Sequence, residues 1–318
     1  AAAMAASRAL VRSEGAAAAP VRRWLPVNTL QPATSASPRL GWQAIKGLEE
    51  RADPVEGCSE LVRTMRRGLR PPPGMRPAPQ SYWRRAASQA GRLAEYLSPE
   101  EACELLSTLA DARLQWEGDR PSAKGLRRFA DHAAQELGSF SPAQVSDLAW
   151  SMARLNFQHE DLLQSLSRAV EHTVRAERGR LSNEAACALL AAYRRIRVLD
   201  EAAMRSLSRL ICRRLVREPL TPPQTAGVVC AFAELRARDL ALFNATTLAL
   251  CRPNTLEALE WGDLADVALS YASLRLHSAS LSARVRRRLC DSAGVAFLDG
   301  DDAVGEGDAL VEHPGPGP

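Results

Sequence analysis

Residues 140–163 read FSPAQVSDLAWSMARLNFQHEDLL. A Ser-Pro pair opens the stretch, and small and apolar residues at helical spacing follow. Ser at the cap and Pro in the first turn, where the missing N–H costs nothing, mark the start of a helix. The same grammar returns at Leu97 (LSPEEACELLSTLADARL), Leu181 (LSNEAACALLAAYRRIRV), Leu220 (LTPPQTAGVVCAFAELRA) and Leu259 (LEWGDLADVALSYASLRL). Aligning the five starts gives intervals of 43, 41, 39 and 39 residues, the period of a helical solenoid.

The columns of this alignment carry the argument. Five positions on stand Ala102, Val145, Ala186, Thr225 and Leu264; eight on, Leu105, Leu148, Leu189, Val228 and Val267; twelve on, Leu109, Met152, Tyr193, Phe232 and Tyr271. Apolar positions at i, i+3 and i+7 make the stripe of a buried helix face. Ser98, Ser141, Ser182 and Thr221 are the caps, and Glu101, Gln144 and Gln224 three residues later complete capping boxes. A second helix per unit follows from the 22-on column (Leu162, Ala203, Leu242, Leu281) and the 30-on column (Val170, Ile211, Leu250, Leu289). The fold expected is all-α: an α-solenoid of about five helix–turn–helix repeats over 97–290, with disordered ends.

Outside the repeats the composition changes. Residues 1–40 are rich in Ala, Arg and Ser with one acid, Glu14, the pattern of an organellar transit peptide. Residues 41–96 read as helical segments interrupted by a proline-rich linker at 70–80, and residues 291–318 as an acidic, disordered tail. Residues 1–92 hold 15 basic and 6 acidic groups, whereas 291–318 hold 7 acids and no base. No apolar run is long enough to span a bilayer. The seven cysteines (Cys58, Cys103, Cys187, Cys212, Cys230, Cys251, Cys290) form no C-x-x-C pair and read as reduced, buried thiols. Histidines lack metal-ligand spacing, and there is no Gly-rich phosphate loop. The expectation is a non-catalytic protein with no metal and no cofactor.

Residues 146–163, SDLAWSMARLNFQHEDLL, echoed by residues 265–281, ADVALSYASLRLHSASL, resemble the octotricopeptide and heptatricopeptide repeats of organellar RNA-binding proteins. They are also similar to the helical regions of FAST-kinase-like and trypanosomatid RNA-editing complex proteins. The resemblance covers about Leu97 to Cys290, and the RAP domain that often accompanies such repeats has no counterpart in 291–318. It implies binding of single-stranded organellar RNA, in RNA processing, stability or translation, within a ribonucleoprotein assembly in the mitochondrion, with the plastid as the alternative site. Sixteen positions into each unit stand Arg113, Asn156, Arg197, Arg236 and Arg275. Stacking turns that column into one row of candidate phosphate contacts. The alternatives are that these groups only complement helix dipoles, and that the array is a HEAT- or armadillo-like protein scaffold or a structural subunit of a mitochondrial ribonucleoprotein such as the ribosome.

Overall fold

Capping and periodicity together produce the helices seen. The computed structural model describes residues 54–71, 73, 77–114, 121–175, 181–293 and 311–312, all of which belong to one unit spanning 38–318. The helices are α1 (Pro54–Leu69), α2 (Gln80–Arg92), α3 (Pro99–Asp111), α4 (Pro121–Glu136), α5 (Pro142–Arg154), α6 (Glu160–Arg175), α7 (Asn183–Ile196), α8 (Glu201–Arg217), α9 (Pro222–Glu234), α10 (Leu240–Leu250), α11 (Trp261–Ser273) and α12 (Ala279–Ala293). The five repeats are the pairs α3–α4 to α11–α12. The capping boxes at Ser98/Glu101, Ser141/Gln144 and Thr221/Gln224 are all closed. Ser182 caps α7 alone, and Glu260 makes no side-chain cap.

Each first helix packs beside the next, α3 to α5 to α7 to α9 to α11, while α4, α6, α8 and α10 form a second layer. The first helices run parallel and in register, because residues at nearly the same place in consecutive units meet. Arg154 pairs with Asp111 at 2.7 Å, Arg194 pairs with Glu234, and Arg195 Nε donates to the Ala153 carbonyl at 3.0 Å. One continuous apolar core runs from Cys58 to Leu281. Tyr193 and Tyr271 stand in it, their hydroxyls held by Ser167 at 2.9 Å and Thr247 at 2.7 Å, as buried hydroxyls require.

The stack begins earlier than the repeat alignment predicts. The α1–α2 pair is not set apart by its proline-rich connection: α1 packs on α3 and α2 on α4, so the two helices form a sixth pair at the start of the stack. Gly91 and Gly125 bring α2 and α4 backbone to backbone. A Cβ on Gly125 would lie 2.6 Å from the Ala87 carbonyl oxygen and 2.7 Å from Ser88 Cα, closer than any side chain tolerates. Ser59 of α1 also donates to Glu101 at 2.7 Å. Burial of Glu101 works against its charge, but hydrogen bonds from Ser59 and Ser98 win and hold its carboxyl below the ordinary value.

At the other end, α12 runs through Ala293, into the stretch expected to be an acidic tail. Val311–Glu312 (β2) pairs antiparallel with Leu276–His277 (β1), a two-residue ladder that the sequence pattern does not announce. The remainder of that tail, the stretch 1–40 expected to be a transit peptide and residues 41–53 lie outside the described residues.

Candidate nucleic-acid interface

The five residues of the sixteen-on column stand at the corners between first and second helices, and their backbone is left-handed. Arg113, Asn156, Arg197, Arg236 and Arg275 have φ of 50°, 52°, 59°, 55° and 55°. Arg197 follows α7 directly and the other four stand two residues past their helix ends, and each N–H returns to the carbonyl three residues back (Ala110, Ala153, Arg194, Ala233, Ala272) at 3.0–3.2 Å. In the first four corners the following N–H (Leu114, Phe157, Val198, Ala237) bonds the carbonyl five residues back at 2.8–3.3 Å. This is the Schellman closure, with its apolar contact between the residue after the corner and the last buried turn. The column is therefore fixed by backbone geometry first.

That geometry favours Gly, or Asn at some cost, because an L side chain in the left-handed region crowds its own carbonyl. One corner is Asn and four are Arg, with no Gly among them. All five side chains are exposed, and none has a hydrogen bond or ion pair among the described residues. Other arginines at helix ends are consumed by structure: Arg195 caps Ala153, Arg252 reaches the Leu215 carbonyl at 3.2 Å, and Arg288 binds the carbonyls of Leu256 and Leu259. Since the first helices are parallel and in register, the corners form one row, with neighbours about 8–10 Å apart as helix packing sets.

Charge is divided between the layers. The first helices α3, α5, α7, α9 and α11 carry nine acidic and three basic residues, whereas α4, α6, α8, α10 and α12 carry fourteen basic and seven acidic. The near-neutral balance of the array thus hides an acidic layer and a basic one. The corner row runs where the two meet.

Tyr193 is core, while Trp150 is about one-third exposed on α5. Asp131, His159 and Asp161 bring potential ligand atoms within 4.8 Å of one another. His159 Nδ1 accepts the Leu162 N–H at 3.4 Å and Nε2 faces Asp131 at 3.1 Å, so one ring nitrogen serves the start of α6 and the other faces α4. The seven thiols are all free.

The fold and the corner row define the class: an all-α helical-repeat stack with one exposed, mostly cationic residue per unit along a shared edge. No protein-family model matches the chain, and no curated protein matches it either.

Proposed function

We propose that the chain is a non-catalytic organellar RNA-binding helical-repeat protein, with single-stranded RNA lying along the corner row of Arg113, Asn156, Arg197, Arg236 and Arg275. The observation that carries this reading is the occupancy of left-handed corners by arginine. A structural role alone would be served better by Gly, and the last carbonyls of the helices are already closed by the backbone. Keeping an exposed guanidinium at a strained backbone position, in four units out of five, is what a phosphate track requires. The acidic first layer keeps a polyanion off that face, and the basic second layer, densest in α8 at Arg205, Arg209, Arg213, Arg214 and Arg217, borders the track.

The row reads phosphate rather than base, because the corners hold no aromatic side chain that a base could stack on. Affinity is then largely electrostatic, and selection of a transcript comes from the ribonucleoprotein assembly around it. The test is the affinity of a fluorescent 15-nucleotide RNA for the wild-type chain and for a variant with Arg113, Arg197, Arg236 and Arg275 all changed to Gln. Four contacts on a single strand give a log–log salt slope near −3, so raising salt from 50 to 200 mM weakens wild-type binding about 50-fold. The variant should lose that dependence for every sequence alike. Equal slopes for the two proteins would refute the reading. The reading extends to an organellar address in residues 1–40, tested by fusing them to a reporter and locating it.

A further inference from the structure

The chain enters the first and the fifth repeats through the same tight turn. The Leu97 N–H returns to the Ala94 carbonyl at 3.4 Å, and the Leu259 N–H to the Leu256 carbonyl at 3.2 Å. In the fifth repeat the space between this turn and the second helix is filled from within. Arg288 of α12 donates to the carbonyls of Leu256 and Leu259, the latter at 2.6 Å, and its guanidinium lies 4.5 Å from the centre of the Trp261 ring, a cation–π contact. The third repeat uses an arginine in the same way. Arg214 of α8 donates at 3.0 Å to Asn183, which stands in the column of Trp261.

The first repeat has no such arginine. Ala94, Leu97 and Pro99, the counterparts of Leu256, Leu259 and Trp261, line a cavity of about 230 Å³ together with Phe129, His132 and Glu136 of α4. Glu95 and Phe140 complete its rim. Against about 30 Å³ for a water molecule in the liquid, there is room for a guanidinium and the end of its stem. Glu95 and Glu136 are exposed, and neither carboxylate has a hydrogen-bond or ion-pair partner among the described residues. No arginine or lysine lines the cavity; Arg92, Arg127 and Arg128, close by in sequence, stand outside it. Two free carboxylates over aromatic and aliphatic walls suit a planar, weakly hydrated cation with a fork of donors. An ammonium, compact and strongly hydrated, loses more of its water on entering such walls.

We propose that the cavity between the Ala94–Leu97 turn and α4 binds the guanidinium of an arginine side chain, held by Glu95 and Glu136. What the third and fifth repeats supply from their own second helices, the first takes as a ligand. The arginine comes either from another chain or from the stretch before α1, which holds Arg8, Arg12, Arg22, Arg23, Arg39 and Arg51. Entry turns stand at the opposite end of the first helices from the corner row, so RNA binding survives the loss of this site.

The full chain is titrated with N-acetyl-arginine amide and with N-acetyl-lysine amide. The imidazole proton signal of His132, assigned by its loss in His132→Gln, is followed by NMR. The arginine derivative should shift that signal saturably and bind at least ten-fold more tightly than the lysine one. Glu95→Gln with Glu136→Gln should weaken it ten-fold or more with the unfolding midpoint unchanged. Saturation in the wild-type chain shows an open site whose arginine comes from another chain, and a dimer that the derivative dissociates would make that chain a second copy. Saturation only after the six arginines before α1 are changed to Gln assigns the site to that stretch. Equal binding of the two derivatives, no saturable shift in either protein, or indifference to the glutamate changes overturns the proposal.

Discussion

Replacing the four corner arginines by glycine should make the protein more stable and at the same time remove its RNA binding. Each Arg sits at φ between 50° and 59°, a conformation that costs an L residue about 1–2 kcal/mol. Glycine removes that cost. It returns about 0.7 kcal/mol through the extra freedom of the unfolded chain and gives up about 0.3 kcal/mol of charge–dipole attraction at the helix end. The net is about 0.5 kcal/mol per corner, or about 2 kcal/mol for Arg113, Arg197, Arg236 and Arg275 together. For an array of this size that corresponds to a rise of roughly 4–8 °C in Tm. The Arg→Gln set keeps the strained backbone and should show no such gain. Thermal unfolding followed by far-ultraviolet dichroism measures both sets, beside RNA affinity on the same samples. A glycine set that is less stable than wild type would mean that the arginines serve the fold, and the argument from strain would fail.

Three further outcomes follow from the packing. Gly125→Ala should cost about 1–3 kcal/mol by forcing α2 and α4 apart, and limited proteolysis should then cut first within 70–79; resistance equal to wild type would show that the glycine contact is dispensable. Removing the three capping-box hydroxyls (Ser98→Ala, Ser141→Ala, Thr221→Ala) should cost about 1 kcal/mol each, read from denaturant midpoints, whereas the uncapped Glu260→Ala should be near neutral. Burial pushes the Cys58 and Cys187 thiols up to about 11, and the Cys103 thiol and the Tyr82 and Tyr193 hydroxyls up to about 12. The folded state therefore holds these protons more tightly than the unfolded chain. Their contribution is whole below the ordinary thiol value of 9.0 and is lost between there and about 12, so stability should fall across that window, and native Cys103 should resist alkylation at pH 8.

The repeat was legible because capping, period and apolar columns agree in every unit; Ser141, Pro142 and Gln144 alone locate the start of α5. The α1–α2 pair was not, because it occurs once and its 70–80 connection has the composition of a linker. Tertiary contacts place it in the stack: Gly91 against Gly125, and Ser59 and Arg66 of α1 on Glu101 and Glu104 of α3. The corner column was found as a row of basic residues, but its left-handed backbone was missed. The signal lay in Asn156, the one residue in the column that favours this conformation after Gly, and in the apolar residue that follows every corner (Leu114, Phe157, Val198, Ala237, Leu276). The exposure of Ala265, Ala268 and Leu289 could not be read from the sequence at all: they match their columns, and among the described residues no helix follows α12.

The most direct test of the central claim is a contact map. A 15-nucleotide RNA carrying 4-thiouridine at successive positions is crosslinked to the full chain, and the attached peptides are sequenced. The account predicts attachment at the corner peptides around Arg113, Asn156, Arg197, Arg236 and Arg275, in that order or its reverse as the label moves along the strand. Crosslinks confined to the exposed faces of α3, α5, α7, α9 and α11, or scattered without order, would contradict it.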